Sequence, residues 1–229
     1  RQLHFYPLPI HLIYLGAKDK LLKNFQAACQ HLTDAGYLLS LRPHGGLGVI
    51  TDPGIINFSL VTDSRYWPLT IDQAYEKMID LIQWTLEAYD VKIDSYEIED
   101  SYCPGKYDVV LDGKKIGGIA QRRFKDAVTT AVYLSLDGGQ AQRGQIMQDF
   151  YRIGQADDRF PTVNPASMAN ISDLIGRELS VADYQALLVK KLGQVASYQE
   201  GDYNDKQVAE IFQPLFHKGQ EKSEKIRAN

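Results

Sequence analysis

Apolar residues recur along the first half of this chain with periods typical of both strands and helices. From Lys18 to Ala35 they return at helical spacing, and Gly36 stands where that helix should end. The helix places Cys29 on its apolar stripe, so we interpret this thiol as an inert core residue. Short apolar or alternating runs predict strands. The predicted strands of this half are Leu12–Leu15, Tyr37–Leu41 and Ile55–Val61.

The middle of the chain is rich in predicted strands. Thr70, with Gln73 three residues later, forms a capping box that opens a helix before them. The dipeptide Asp112-Gly113 suits the type I′ turn of a β-hairpin. Alternating apolar residues on either side of that turn predict extended segments. These segments are Lys92–Glu97, Tyr107–Leu111, Lys114–Ala120 and Ala127–Asp137.

Beyond Gly138-Gly139 the pattern becomes helical. A helix from about Gln140 to Gly154 is predicted, followed by a polar connection, Asp157–Pro165. Ser180 with Asp183 resembles the cap of a further helix. A last helix carries an apolar set made of Val208, Ile211, Phe212 and Leu215. Strands in the middle and helices at the end indicate an α+β fold, with a central mixed or antiparallel sheet flanked by helices.

Composition limits the classes of function. The 229 residues suffice for one sizeable core, so we expect a single domain, 1–229, with 140–229 as its mainly helical part. The net charge of −4 argues against a general nucleic-acid binder. No apolar run could span a membrane and no signal peptide is evident, so we expect a cytoplasmic protein. Because the sequence begins at Arg1, we expect a native N-terminal segment to be missing.

Cys103 is the first candidate for chemistry. It precedes Pro104-Gly105 and stands close to several cations: Lys106, Lys114, Lys115, Arg122, Arg123 and Lys125. A thiol near fixed cations can ionise at neutral pH, and a thiolate is a strong acyl acceptor. This pattern favours acyl transfer through a covalent thioester. A thiol that only packs, and a charged hairpin face that only meets solvent, are the alternatives.

Two glycine-containing segments are further candidates. In the first, 42–48, glycines let backbone N–H groups approach a ligand, and His44 is either a general base for Cys103 or a hydrogen-bonded loop residue. In the second, 117–121, small residues leave room for an acyl chain, or for close packing of the backbone alone. The other histidines lack metal-ligand spacing, and the two cysteines form no zinc pattern.

Two separated motifs resemble those of lipoate–protein ligases. Arg42, Gly45-Gly46 and Asn57-Phe58-Ser59 are similar to that family's Arg and Gly-Gly-Gly loop and its Asn-Phe-Ser strand. The run from Tyr107 to Arg123 is similar to its Gly-Arg-Lys-Ile-Ser-Gly-Ser-Ala-Gln-Arg-Arg hairpin. The wider family includes biotin ligases and octanoyl transferases. Within it, Cys-Pro-Gly-x-Tyr-Asp at Cys103 most resembles the octanoyl-[GcvH]:protein N-octanoyltransferase branch.

The resemblance implies a biotin/lipoate protein ligase-like catalytic domain and a mechanism. Cys103 would take an octanoyl or lipoyl group from a lysine of the glycine cleavage H protein, then pass it to a lysine of lipoyl domains of 2-oxoacid dehydrogenases. Donor and product are both lysine amides, so no ATP and no other cofactor is required. Lys115 would position the acyl carbonyl and stabilise its developing charge. The implied substrate-binding residues are Arg42, Gly45, Gly46, Gly48, Asn57, Gly117, Gly118, Ala120 and Gln121.

Other functions stay open at this point. They are octanoyl transfer from acyl carrier protein, ATP-dependent lipoate ligation, and non-catalytic binding of lipoyl domains. The loop reads His-Gly-Gly-Leu-Gly rather than Gly-Gly-Gly, which favours the transferase over the ligase. We expect the cations that dock acidic lipoyl domains to be Lys114, Arg122, Arg123 and Lys125. The sequence leaves open the acyl preference, the true donor and the oligomeric state.

Overall fold

The computed structural model of this chain describes residues 1–6, 10–42, 46–202 and 205–227. The strands are β1 (Gln2–Phe5), β2 (Leu12–Leu15), β3 (Leu38–Leu41), β4 (Val49–Thr51), β5 (Ile55–Asp63), β6 (Asp94–Ser95), β7 (Asp108–Leu111), β8 (Lys114–Phe124) and β9 (Ala127–Ser135). The helices are α1 (Phe25–Asp34), α2 (Ile71–Thr85), α3 (Gln140–Ile153), α4 (Ile171–Ile175), α5 (Val181–Val195) and α6 (Lys206–Arg227). The predicted α+β fold is confirmed, with strands in the middle of the chain and helices at its end.

Six of the described strands form an antiparallel sheet in the order β1-β5-β9-β8-β7-β6. Register pairs Phe58 with Val132 and Val132 with Ile119, so these side chains form one row on one face. That face packs against α2 and α5, which supply Met78, Ile82, Tyr184 and Leu188. The alternation predicted for the β9 segment is therefore confirmed, because its apolar residues share the helix-covered face.

A second, three-stranded sheet has the order β3-β2-β4, with β2 parallel to β3 and antiparallel to β4. The mixed strand pairing is found here, while the large sheet is antiparallel. Helices α1 and α3 contribute to the core beside this small sheet, through Leu32, Met147 and Phe150. Cys29 lies in the same core, and burial raises the pKa of its thiol to about 12. The prediction that Cys29 is a core thiol is confirmed, and its inertness stays a prediction.

The helix predicted from Lys18 to Ala35 is interrupted. A 3-10 turn covers Lys18–Leu21, and the α-helix begins only at Phe25. Between them, the Asn24 backbone N–H donates to the Gly154 carbonyl at 3.0 Å, and its side chain donates to the Ile153 carbonyl at 3.3 Å. The end of α3 thus binds the chain at the interruption. Periodicity missed this break because the apolar spacing continues across it.

The hairpin has the predicted turn but longer strands. Asp112 and Gly113 have φ angles of 48° and 73°, as a type I′ turn requires. Strand β8 extends to Phe124, beyond the predicted end at Ala120, because β9 pairs with it as far as Ala127. In contrast, the predicted extended segment Lys92–Glu97 is reduced to the two residues of β6. Strands β1 and β4 were not predicted, since each is short and neither forms the continuous apolar run by which the four-residue β2 was recognised.

The Arg143 side chain of α3 is a buried cation that joins several loops. It donates to Asp52 Oδ2 at 3.1 Å and to the carbonyls of Pro53 and Asp137 at 2.8 and 2.9 Å. It also donates to Ser135 Oγ, Asn170 Oδ1 and Gln140 Oε1. The cation therefore connects the β4–β5 turn with the β9–α3 turn.

No described helix combines the length and apolar character needed to cross a bilayer.

Replacement of Arg143 should destabilise the fold. Arg143→Met removes the donor to Asp52 Oδ2 and to two carbonyls, so we expect a loss of about 3–5 kcal/mol in the free energy of unfolding. Arg152→Met is the matched control on the same helix, because Arg152 pairs with Asp149 at the surface. It should cost at most about 1 kcal/mol. Urea denaturation compares the two, and equal losses would contradict the role given to Arg143.

Candidate active site

The face of the large sheet opposite α2 and α5 carries small side chains. One row crosses four strands through Asn57, Tyr133, Gly118 and Asp108. A Cβ added at Gly118 would lie 3.0 Å from the Tyr133 ring, so glycine leaves room for that ring. The adjacent row contains Ser59, Ala131 and Ala120, of which the two alanines are half-buried. The small residues of these two rows are Ser59, Gly118, Ala120 and Ala131, and we call the surface that they form the small-residue groove.

Cys103 stands between β6 and β7 with its thiol half-buried. Its Sγ accepts from Arg42 Nη2 at 3.2 Å and from the Leu47 backbone N–H at 3.4 Å. The φ angle of 49° is unusual for a residue with a side chain, and such strain occurs often at functional sites. Both donors would stabilise a thiolate, the nucleophilic form of cysteine.

Gly46 brings the glycine loop against this thiol. With a φ of 98° its backbone occupies the left-handed region that favours glycine. A Cβ added there would lie 2.1 Å from Arg42 Nη2 and 3.2 Å from Cys103 Sγ. The sequence predicted that this loop approaches a ligand. The structure places the loop against the sulfur, and so brings Arg42, Gly46 and Cys103 together, while the approach to a ligand stays a prediction.

Lys115 is fully buried and binds the backbone that carries Cys103. The pairing of β7 with β8 shifts by one residue between Val109 and Val110, where β8 has the extra residue Ile116. This bulge puts Lys115 on the same face as Asp108, where an unbroken register would turn it away. Lys115 Nζ lies 2.9 Å from Asp108 Oδ1. Its other contacts are the Cys103 carbonyl at 2.9 Å and the Tyr102 carbonyl and Ser101 Oγ at 3.0 Å.

The electrostatics of this pair follow from its burial. Side-chain exposure is 1% for Lys115 and 3% for Asp108. Burial raises the pKa of Asp108, and the positive charge of Lys115 opposes that rise. Because Lys115 is directed at backbone carbonyls, its present contacts hold the loop rather than touch the sulfur. The predicted role of Lys115 on an acyl carbonyl stays a prediction.

Aromatic rings secure the remainder of the segment Ser101–Tyr107, which we call the Cys103 loop. On one side Tyr102 stacks on Tyr133, with ring centroids 6.2 Å apart and planes 20° apart. On the other, Tyr107 stacks on Tyr75 of α2 at 4.4 Å and 5°. The Tyr107 hydroxyl also donates to Asp72 at the start of α2. The Cys103 loop is therefore fixed to the sheet at one end and to α2 at the other.

The structure separates some of the predicted substrate-binding residues from this site. Gly117 and Gln121 lie on the helix-covered face, because side chains alternate along β8. A Cβ at Gly117 would lie 2.7 Å from Leu134, and Gln121 Nε2 donates to the Ile71 carbonyl at 3.1 Å. Their roles there are packing and attachment of α2. Gly118 and Ala120 are the members of this segment that lie on the small-residue groove.

Among the other predicted residues, some lie at the groove, some lie away from it, and some lie outside the described residues. Asn57 belongs to the groove row, and its amide donates to Thr51 Oγ1 at 2.5 Å. Gly48 lies behind the loop, where an added Cβ would be 3.4 Å from Asp19 Oδ2. His44 and Gly45 lie outside the described residues. The predicted docking cations also separate, because Lys114 and Arg122–Lys125 are at opposite ends of β8, roughly 30 Å apart.

Asp19 is a buried residue near the site that sequence reasoning missed. It is fully buried and accepts from the Gly16 N–H at 2.7 Å and from the Tyr151 hydroxyl at 3.1 Å. Burial raises the pKa of its carboxyl to about 6, against the lowering effect of these donors and of Arg42. The available signal was an aspartate three residues after a glycine, a spacing that suits a side-chain bond to a turn.

Comparison with known proteins identifies the family to which this chain belongs. The lipoyl protein ligase A/B catalytic domain matches residues 2–193. The octanoyl-[GcvH]:protein N-octanoyltransferase of Macrococcus caseolyticus is 35% identical, over 83% of this chain and 72% of its own length. The enzyme of that name from Staphylococcus epidermidis is 39% identical, over 80% and 67%. A lipoyl-[GcvH]:protein N-lipoyltransferase from Listeria monocytogenes is 38% identical, over 74% and 62%.

Solved structures share the fold. A bipartite lipoate protein ligase from Thermoplasma acidophilum superposes with a TM-score of 0.67 at 19% identity, over 94% of this chain and 79% of its own. A lipoate-protein ligase A bound with ATP gives a TM-score of 0.65 at 19% identity, over 92% and 81%. The expected biotin/lipoate protein ligase-like fold is confirmed. At this identity the likeness concerns the fold alone.

Gly46→Ala should slow the reaction of the Cys103 thiol strongly and lower the stability of the fold only slightly. The new Cβ meets Arg42 Nη2 and the sulfur, so we expect iodoacetamide to alkylate Cys103 at least about tenfold more slowly. Gly36→Ala is the matched control, because Gly36 has a similar φ of 88° and nothing within 4 Å of an added Cβ. Both variants should lose about 1 kcal/mol from backbone strain. Normal alkylation of Gly46→Ala would contradict this geometry.

Asp19 should make stability depend on pH. Its pKa rises from 3.8 to about 6 on folding, so protonation favours the folded state. That contribution is complete below about pH 4 and is lost as pH rises through 6. Relative to Asp19→Asn, which has no such titration, the wild type should lose about 2 kcal/mol between pH 4 and 7. Denaturation of both proteins at several pH values measures this, and a constant difference would refute it.

Proposed function

Because this chain belongs to the lipoyl protein ligase A/B catalytic domain family, we propose that it is an acyltransferase acting between lysine side chains of two proteins. The donor is the glycine cleavage H protein carrying an octanoyl or lipoyl group. The acceptor is a lysine of lipoyl domains of 2-oxoacid dehydrogenases. The names of the relatives support the donor, since they are GcvH-dependent octanoyl- and lipoyltransferases.

The position of the Cys103 thiol between Arg42 and the Leu47 N–H is the observation that carries the mechanism. Ionised Cys103 attacks the carbonyl carbon of the donor amide and forms a tetrahedral intermediate. The C–N bond then breaks, the donor lysine nitrogen takes a proton from solvent and leaves as an amine, and a thioester remains on Cys103. The acceptor lysine, as a neutral amine, attacks the thioester, loses a proton to solvent, and releases the thiolate. Bonds and charges balance without ATP or a cofactor.

The donors around the sulfur have a second use in this mechanism. When the thiolate attacks, negative charge moves from sulfur to the carbonyl oxygen of the acyl group. The Leu47 N–H and the Arg42 guanidinium, freed from the sulfur, are close enough to follow that charge. For Lys115 to join them, it would have to exchange one of its present partners, such as the Cys103 carbonyl. We therefore assign Lys115 mainly to holding the Cys103 loop.

The small-residue groove gives the acyl chain a place next to the thiol. Ala120 and Ala131 present only methyl groups, so a slender chain can lie along them as far as Gly118. Tyr133 forms one wall, because its ring lies over Gly118.

A free Cys103 nucleophile also requires reducing conditions, which supports a cytoplasmic site of action.

Cys103→Ser should abolish transfer. When the wild type is mixed with octanoylated H protein without ATP, intact mass spectrometry should detect one octanoyl adduct that hydroxylamine removes and peptide mapping places at Cys103. Cys103→Ser should form no labile adduct and lose at least about 1000-fold in transfer rate, since the hydroxyl is a far weaker nucleophile. Cys29→Ser, which changes the buried core thiol, is the matched control and should still form the adduct.

Parallel reactions test the other functions. Octanoyl acyl carrier protein in place of the H protein tests the alternative donor, and free lipoate with ATP tests a ligase. An adduct or product from either one alone, with none from octanoylated H protein, would overturn the proposed donor. Binding of a lipoyl domain without any adduct or transfer would instead indicate a non-catalytic binding module.

A further inference from the structure

Asp19 lies directly behind Gly46, Leu47 and Gly48, the part of the glycine loop that faces the Cys103 thiol. Its carboxylate accepts from the Gly16 N–H and the Tyr151 hydroxyl, as described above, and the Gly48 backbone also bonds to it. A Cβ added at Gly16 would lie 2.0 Å from the Gly46 carbonyl oxygen, so the two backbones are in direct contact. The carboxylate thus fixes both segments that flank Leu47, the residue whose N–H donates to Cys103 Sγ.

Electrostatic attraction connects Asp19 with Arg42, the second donor to Cys103 Sγ. The positive charge of Arg42 lowers the pKa of Asp19 against the effect of burial, so the two groups attract each other. Among the described residues, the buried Nε of Arg42 has no hydrogen-bond partner. The orientation of this guanidinium therefore depends on the bond to Cys103 Sγ and on the field of Asp19.

We propose that Asp19 is a positioning residue for the Cys103 nucleophile. Its ionised carboxylate fixes the Gly16 and Gly48 backbones and compensates the charge of Arg42, so that two donors point at the sulfur. The inference extends the proposed function, because it rests on Cys103 being the nucleophile. The ionisable or charged groups that face Asp19 are Arg42, Tyr151 and Cys29.

A positioning role for Asp19 and a simple effect of its charge predict opposite changes in the reactivity of Cys103. A negative charge near a thiol disfavours the thiolate, so removing that charge alone should make Cys103 react faster. Loss of the two donors should make it react more slowly, because each stabilises the thiolate. A purely structural role should lower the melting temperature and leave the reactivity of the folded protein unchanged.

Asp19→Asn tests this, because it keeps the shape and removes the charge. We expect alkylation of Cys103 by iodoacetamide, followed by peptide mass spectrometry from pH 6 to 9, to become roughly tenfold slower without a fall in melting temperature at pH 7. Tyr151→Phe is the control: it removes one donor and keeps the carboxylate, so its rate should stay within about twofold of wild type. A rate for Asp19→Asn equal to or faster than wild type would overturn the inference.

A second variant guards against a folding defect. Gly16→Ala retains Asp19 and places a methyl group 2.0 Å from the Gly46 carbonyl oxygen, so it displaces the loop that faces the thiol and should also slow alkylation. If either variant melts as the wild type does and alkylates at the wild-type rate, the inference fails. The alkylation assay requires no acyl donor. Slow alkylation of Asp19→Asn, with no octanoyl adduct on the wild type, would retain the positioning role and reject the proposed function.

Discussion

The buried pair of Lys115 and Asp108 is the interaction on which the geometry of the site depends. A cation and an anion without access to water are costly unless each is satisfied by close partners. Lys115 has four such partners, and three belong to residues of the Cys103 loop. Lys115 therefore not only pairs with Asp108 but also fixes the backbone of Cys103, whose thiol is the proposed nucleophile.

The antiparallel sheet makes this pair possible. The bulge at Ile116 turns Lys115 to the face that carries Asp108, and Gly118 on the same face leaves room for Tyr133. The opposite face remains apolar and packs on α2 and α5. One strand thus supplies the buried cation, the floor of the groove and part of the core.

Local residue patterns predicted much of the fold and part of the site. The Asp112-Gly113 hairpin, the capping boxes at Thr70 and Ser180 and the apolar face of β9 are local features, and the structure has each of them. Cys103 and the glycine loop were singled out by residue type. The proximity of Arg42 to Cys103, 61 residues away, could not be predicted from local patterns, because strand pairing and loop packing create it.

Two kinds of error have physical causes. Gln121 was grouped with Gly118 because they are near each other in the motif, but odd and even positions of β8 face opposite sides. Asp19 was missed because a charged residue in a helical pattern suggests the surface, and only tertiary packing buries it. In both cases the local sequence could not show the position of the side chain, because strand pairing and tertiary packing determine it.

The central claim is that an acyl group passes through Cys103, and a single-turnover chase tests it most directly. Octanoylated enzyme is isolated, mixed with an apo lipoyl domain, and sampled rapidly by intact mass spectrometry. The account predicts that the Cys103 thioester disappears at the rate at which the lipoyl domain gains octanoyl, and that this rate is at least the steady-state turnover. Transfer that proceeds faster than the thioester decays would contradict it, because the adduct would then lie off the reaction path.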